Sequence, residues 1–280
     1  MHLVMILGAL ALAWLLRCSY SQPSGNWTQR WQRSLILFLV PPLLLLVTAF
    51  AVLCMGPQGK MIGLRADRFS YCLALGGLSL SIGLCLKLAQ EGWQSLQRIR
   101  SYPQIEIEET AARLLDSPVL FIAQIGFWQP ELVISQGLLQ ALKTEHLAAV
   151  LTHEQAHYYY RDTFWFFWLG WVRRMTVWLP NTDLLWQELL VLRELRADRW
   201  AAERVDALLL AESLLMMVRT PMGALEESCV AFSCPITRNR LQERIDALLG
   251  DPETPHPSNS WTWSWVILTL LPLVTVPFHS

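Results

Sequence analysis

Long apolar runs constrain this chain more than any other feature of its sequence. Residues 34–55 and 69–88 are each long enough to cross the hydrocarbon core of a bilayer as a helix. Residues 3–16 are shorter, but they lack the basic start of a signal peptide, which favours a membrane helix. Residues 261–278 open with tryptophans of the kind found at membrane interfaces. The sequence therefore predicts four transmembrane helices.

The composition agrees with a membrane protein. Hydrophobic residues make up 53% of the chain and charged residues 16%, an unusual balance for a soluble domain. The net charge of −1 gives no reason to expect nucleic acid as a partner, whereas the apolar runs make the lipid bilayer one. Six cysteines are scattered without the spacing of a disulfide framework, which favours a reducing compartment for the part outside the membrane.

The chain changes character between the third and fourth apolar runs. Residues 90–250 have the mixed pattern of a folded domain, and residues 251–260 form a proline-rich linker. The predicted fold class is mainly α, with multi-span membrane helices plus an α+β domain that has a small edge-strand sheet. Within the domain, the pattern predicts a helix at 105–115, short strands at 119–123 and 131–135, and one long helix at 183–208, which lacks Pro and Gly.

Residues 164–179 are densely aromatic and contain two arginines. The charges and the length argue against an ordinary membrane span. A helix packed in the domain core and a helix lying at the membrane interface both fit this pattern.

The motif His153-Glu154-Gln155-Ala156-His157 lies in a predicted helix, with Thr144 as its expected N-cap. Two histidines four apart on a helix share a face, so both imidazoles can reach one ion. The intervening glutamate lies beside that ion, where its carboxylate can take a proton from water. The alternative is a polar helix face with two incidental histidines.

A third ligand is predicted at Glu194, in Arg193-Glu194-Leu195-Arg196-Ala197-Asp198. Two histidines, one glutamate and an open fourth position make a hydrolytic zinc site. Asp198, four residues on, shares a helix face with Glu194 and can hold a ligating histidine by its second ring nitrogen. Because arginines are interleaved here, a solvated ion-pair face is the alternative. The third histidine of the other common zinc peptidase motif is missing, with Tyr160 and Thr163 at those places, so the glutamate type is preferred.

These stretches resemble the BlaR/MecR-type membrane zinc metallopeptidases, the antirepressor family. The likeness covers most of residues 90–250, and the four-span layout agrees with it. The matching residues are Ser117-Pro118, Pro130-Glu131-Leu132-Val133-Ile134, Leu138-Leu139, the pair of motifs above and Arg161-Asp162.

The resemblance implies three spans before a cytoplasmic gluzincin domain and one after it. It implies that Zn²⁺ is bound by His153, His157 and Glu194, that Glu154 is the general base, and that Asp198 is the acid behind the ligands. Basic loop residues favour the cytoplasmic side for this domain only slightly. Receptors of this family end in an extracellular penicillin-binding sensor, and we expect none here because the sequence ends at Ser280.

Motif and resemblance together predict a membrane-embedded zinc-dependent endopeptidase that cleaves a protein or peptide substrate. Regulatory cleavage of a repressor or signalling protein is the expected role. The HtpX-type and CAAX prenyl endopeptidases share both motifs, so membrane quality control is one alternative. A non-catalytic signalling or scaffold protein that retains the zinc fold is another. The oligomeric state is not specified by the sequence.

Overall fold

The computed structural model describes residues 2–20, 25–58, 60–61, 64–65, 68–108, 110–218, 240–250 and 264–278. The chain divides into two compact units, each built from separate segments. The first unit comprises residues 1–86, 172–189 and 253–280, and the second comprises residues 87–171 and 190–252.

The first unit begins with two antiparallel helices in contact, α1 (His2–Cys18) and α2 (Trp27–Met55). A two-stranded ribbon of β1 (Lys60–Met61) and β2 (Leu64–Arg65) leads into α3 (Arg68–Arg100). Of the described helices, α2 and α3 are long and apolar enough to cross a membrane, whereas α1 is shorter. The predicted spans at 34–55 and 69–88 thus fall inside helices.

Helix α2 contains Pro41 and Pro42 in its interior. Proline lacks an N–H group, so Pro42 cannot donate the helical hydrogen bond to the carbonyl of Phe38. Arg17 supplies a donor instead: its Nη2 atom lies 3.2 Å from the Phe38 oxygen and 3.3 Å from the hydroxyl of Thr176. The guanidinium also lies over the Phe38 ring. The last turn of α1 therefore supplies the hydrogen-bond donor that Pro42 cannot provide within α2.

The C-terminal apolar segment differs from the continuous helix predicted at 261–278. Described residues there form a short helix, Ser264–Leu268, and a 3-10 helix, Leu271–Phe278. Two prolines, Pro272 and Pro277, disfavour a regular α-helix through this stretch. The predicted linker at 251–260 lies outside the described residues, and the membrane crossing at 261–278 stays a prediction.

The second unit contains a four-stranded mixed sheet in the order β3-β4-β6-β5. Its strands are β3 (Gln104–Ile107), β4 (Thr110–Leu115), β5 (Ile122–Ile125) and β6 (Glu131–Ser135). The central pair, β4 and β6, is parallel, and the outer pairs are antiparallel. Strand β5 therefore lies at an edge, as a small edge-strand sheet requires. The predicted strand at 131–135 is confirmed, and the one at 119–123 lies a few residues further on.

The helix predicted at 105–115 is wrong, because these residues form the β3–β4 hairpin. Gln104-Ile105-Glu106-Ile107 alternates polar and apolar side chains, the period of a strand. Glu108 takes a positive φ of 46° and turns the chain. The acidic residues and two alanines suggested a helix, but pairing with β6 decides the conformation.

Between the sheet and residue 250, the described residues form six helices. They are α4 (Gln136–Ala141), α5 (Thr144–Tyr159), α6 (Asp162–Met175), α7 (Thr182–Ala202), α8 (Ala207–Val218) and α9 (Leu241–Leu249). One face of the sheet packs on α4 and α5 through a core that includes Ala112, Ile122, Leu132, Ile134, Leu138, Val150 and Leu151. This core fixes α5 beside the edge strand β5.

Two predicted helix boundaries need correction. Thr144 is the first residue of α5, and the N-cap is Lys143, whose side chain makes no capping hydrogen bond. The long helix predicted at 183–208 is two helices. Asp206 starts α8, because its carboxylate accepts hydrogen bonds from the backbone N–H groups of Leu208 and Leu209.

Candidate metal centre

Helix α5 presents both motif histidines from one buried face. The Nε2 atoms of His153 and His157 lie 3.1 Å apart, and both side chains are buried. The neighbouring buried residues Ala149, Val150 and Ala156 hold this side of α5 against the rest of the second unit. The i, i+4 spacing therefore brings the two rings together, as the sequence predicts.

Helix α7 adds Glu194 to the pair. Its Oε2 atom lies 3.4 Å from Nε2 of His153, and its Oε1 atom lies 3.7 Å from Nε2 of His157. Ligand atoms of all three residues lie within 4.8 Å of one another. A tetrahedral ion with bonds of about 2.0–2.1 Å needs ligand atoms about 3.3 Å apart. The three separations bracket that length, so this buried group can hold a metal ion.

Each histidine is oriented by a carboxylate on its other ring nitrogen. Nδ1 of His153 lies 2.9 Å from Oδ1 of Asp198, and Nδ1 of His157 lies 2.7 Å from Oδ2 of Asp162. With the protons held on Nδ1, the lone pairs of both Nε2 atoms face the shared space beside Glu194. Asp198 occupies the place that the sequence predicts for it. Asp162 has the same role at the second histidine, which sequence reasoning missed.

Three arginines stand behind these carboxylates. Arg244 on α9 makes a bidentate pair with Asp198, with both N···O distances at 2.7 Å, and its Nη1 atom lies 3.4 Å from Glu194. Arg193 donates to Oε1 of Glu194 from Nε at 2.9 Å and from Nη2 at 2.7 Å. Arg196 pairs with Asp162.

These arginines are the contacts that sequence reasoning missed most clearly. Arg193 and Arg196 belonged to the alternative reading of a solvated face, yet Arg193 is buried against Phe166 and Arg196 stacks over Tyr160. Arg244 lies on a helix of amphipathic sequence, where an arginine normally faces water, yet it is 5% exposed. The sequence around the two motifs is rich in charged residues, but it does not indicate which of them form ion pairs with one another.

The net charge of the side chains in this cluster favours the binding of a cation. The cluster contains four carboxylates, from Glu154, Asp162, Glu194 and Asp198, and three guanidiniums, from Arg193, Arg196 and Arg244. With neutral histidines this leaves an excess of one negative charge in a largely buried volume. Buried charge is costly unless it is compensated. A divalent cation at the histidines would supply that compensation.

The pKa values of the candidate ligands show the same preference for positive charge. Burial alone would lower the pKa of His157, but Glu194 and Asp162 outweigh it and raise that pKa to about 10. Burial would lower the pKa of His153 as well, but Asp198 and Glu194 outweigh it and raise that pKa. Burial would raise the pKa of Glu194, but Arg193, His157 and Arg244 hold it well below its usual range. The site is therefore strongly attractive to positive charge.

Glu154 is buried on α5 beside this group, but its carboxylate is not one of the three converging ligands among the described residues. It lies close enough to influence the pKa values of His157 and Arg244. A carboxylate next to the ligands, but free of that role, is available for proton transfer.

Residues 121–189 match the family model of Peptidase family M48. The match runs from the start of β5 into α7 and contains His153, Glu154 and His157, whereas Glu194 follows five residues after its end. It supports a metallopeptidase of the gluzincin type that acts on proteins. It does not separate the BlaR/MecR type from other members of this class. No curated protein matches the chain.

Proposed function

We propose that this protein is an integral-membrane zinc endopeptidase. The observation that carries the proposal is the convergence of His153, His157 and Glu194 in a buried, negatively charged group, with both histidines inside the segment that matches a peptidase family. Two histidines and one glutamate form the donor set of hydrolytic zinc sites. The matched segment argues for peptide bonds as the target.

Zinc bound there would supply Lewis acidity, polarising the scissile carbonyl and lowering the pKa of water. The residues of the chain would do the rest. Glu154 takes a proton from the attacking water and passes it to the leaving amine. Asp198 and Asp162 keep the two imidazoles in their ligating orientation. Arg193 and Arg244 keep Glu194 ionised.

The edge strand β5 offers a place for the substrate. It pairs with β6 on one side only and lies next to α5. An extended segment of substrate adds to such an edge through main-chain hydrogen bonds, which recognise backbone more than side chains. This mode suits cleavage of a protein at an exposed, extended loop.

The proposed biological role is regulatory proteolysis of a repressor or signalling protein. In this proposal, α1, α2, α3 and residues 261–278 cross a cytoplasmic-type membrane, and residues 90–250 form the peptidase domain on its cytoplasmic side. The length and apolar character of α2 and α3 support the membrane part of this proposal. A quality-control protease would use the same site, and one substrate rather than many would favour the regulatory role.

The Glu154→Gln variant tests the proposed activity. The amide cannot accept the proton of water, so we expect cleavage of casein to fall by at least about 100-fold, while zinc content stays at the level of the parent. Purified full-length protein in detergent, assayed with and without a chelator, gives both readouts. Undiminished cleavage by this variant would refute the role of Glu154. Chelator-resistant cleavage by the parent would refute the zinc mechanism.

A further inference from the structure

The second unit carries a solvent-exposed aromatic surface, which we call the aromatic patch: Trp128, Arg161, Phe164, Trp165 and Trp168. Trp128 is 57% exposed, Trp165 59% and Trp168 38%. The rings contact one another in T-shaped arrangements, with Trp128 and Phe164 at 5.3 Å and Phe164 and Trp165 at 5.2 Å between centroids. The patch is therefore one continuous surface and not a set of scattered side chains.

The patch is not the core-facing side of α6. That side is formed by Phe166, Phe167 and Leu169, which are all buried. Over residues 164–169, α6 is thus apolar on its exposed side as well as on its buried side. A helix with apolar residues all round is expected where both sides meet an apolar medium.

The chemistry of the patch fits one medium in particular. Tryptophan has an apolar body and a polar N–H group, and it concentrates where hydrocarbon meets water. The guanidinium of Arg161 lies 4.4 Å above the Trp128 ring, at the edge of the patch. Exposed indoles with an arginine beside them suit the level of lipid headgroups, where the cation meets phosphate.

Helix α6 continues from the patch into a segment of the first unit. Trp168 precedes Val172 by four residues, about 6 Å along a helix, and Val172 begins a segment of the first unit. Helix α3 joins the units as well, with Lys87 as the first residue of the second unit. Its 33 residues correspond to about 50 Å, longer than the hydrocarbon core of about 30 Å.

We infer that the aromatic patch rests in the headgroup region of the bilayer. This inference depends on the membrane placement under the proposed function. The patch adjoins both parts of the substrate site: Trp128 lies in the loop that follows β5, and Arg161 follows the end of α5. Its anchoring brings the edge strand to the membrane surface, so the substrates are protein segments that lie within reach of the bilayer.

Hydroxyl-radical footprinting of the full-length protein tests this contact. The protein is placed in phosphatidylcholine–phosphatidylglycerol nanodiscs with one copy per disc, and oxidation of each side chain is measured by mass spectrometry. We expect Trp128, Trp165 and Trp168 to be oxidised several-fold more slowly than their exposure predicts, because lipid covers them. Tyr159, which is 66% exposed and outside the patch, is the internal reference. Oxidation of the three indoles at the rate that their exposure predicts overturns the inference, as does protection that occurs only in discs with two copies.

A pair of variants separates this inference from the proposed function. The double variant Trp165→Glu, Trp168→Glu is expected to cleave casein in detergent like the parent, but to cleave a lipid-anchored peptide in vesicles several-fold more slowly. Leu208→Glu, which changes another exposed apolar residue of the second unit, is the matched control and is expected to affect neither. Equal vesicle cleavage by the double variant and the parent contradicts the inference and leaves the peptidase proposal intact. If the parent itself does not cleave casein, that result instead contradicts the peptidase proposal.

Discussion

Two parallel chains of contacts orient the histidines of the candidate metal centre. One runs from His153 through Asp198 to Arg244, and the other from His157 through Asp162 to Arg196. In each chain the carboxylate contacts the ring and the guanidinium pairs with the carboxylate. Outer contacts of this kind are worth one to two orders of magnitude in metal affinity. The stability of the site therefore depends on residues that never touch the ion.

Arg244 is the residue on which this idea is most easily tested. Arg244→Gln removes the bidentate pair with Asp198, and we expect zinc affinity to fall about 10–100-fold. Arg244→Lys keeps the charge but loses the planar two-point contact, so an intermediate loss is expected. Competition with a chromophoric chelator measures both.

Arg240→Gln is the matched control, since Arg240 lies just before the same helix and pairs with Glu243 at the surface. Its zinc affinity should equal that of the parent. If Arg244→Gln also binds zinc like the parent, the contact between Arg244 and Asp198 has no influence on zinc binding.

The candidate ligands could be predicted from sequence, whereas the residues behind them could not. His153 and His157 are brought together by helical spacing, which is a local property. Glu194 was predicted because two histidines alone do not complete a hydrolytic zinc site, and a carboxylate can supply the third ligand. Arg244 could not be found in this way, because its partners come from another helix and an arginine on an amphipathic helix normally faces water. Only the contacts of Arg244 with Asp198 and Glu194 on α7 distinguish these cases.

At the scale of the elements, an ion-pair triad joins the end of α3 to the sheet. Glu131 at the start of β6 pairs with Arg100 at the end of α3 and with Arg113 on β4, at 2.7 Å and 2.8 Å. Partial burial would raise the pKa of Glu131, but the two arginines outweigh it and lower that pKa. The carboxylate is thus more stable as an anion in the folded protein than in the unfolded chain.

Glu131→Gln is expected to lower the free energy of unfolding of the second unit by about 0.5–1 kcal/mol at pH 7, since the triad is partly exposed. A depressed pKa stabilises the fold above the unfolded value and loses that effect as pH falls through the folded value. The difference between parent and variant should therefore shrink below about pH 4. Thermal unfolding at a series of pH values measures it. Glu106→Gln, an exposed change on β3, should show no such pH dependence.

Sequence patterns located some elements and misplaced others for physical reasons. Local sequence patterns alone predict the secondary structure of the apolar stretches at 34–55 and 69–88 and of the strand at 131–135. The β3–β4 hairpin was missed because its pairing with β6 is non-local. The end of α7 was missed because its signal is one capping carboxylate, Asp206, and not a proline or a glycine.

At the scale of the whole molecule, the candidate metal centre joins helices that are far apart in the chain. Helices α5 and α7 supply the three candidate ligands, and α9 supplies the guanidinium behind them. A bound ion thus stabilises the packing of the second unit, because only the folded state brings these groups together.

Removal of the metal should consequently destabilise this unit. At a free zinc concentration of 100 times the dissociation constant, binding contributes about 2.7 kcal/mol, which corresponds to a thermal midpoint about 5–10 °C higher for a unit of this size. Differential scanning fluorimetry with and without a chelator measures the shift. Glu194→Ala should be nearly insensitive to the chelator, and an equal shift in that variant would contradict the assignment of Glu194 as a ligand.

The position of Arg244 has a consequence for the protein during its synthesis. Helix α9 follows Glu194 by nearly fifty residues, so a growing chain contains both histidines and the glutamate well before the guanidinium that braces them. Until that helix leaves the ribosome, Asp198 lacks its bidentate partner, and the candidate metal centre is incomplete. In the proposed peptidase, the arginine that braces Asp198 is thus synthesised after all three candidate ligands, so the metal centre would be completed late.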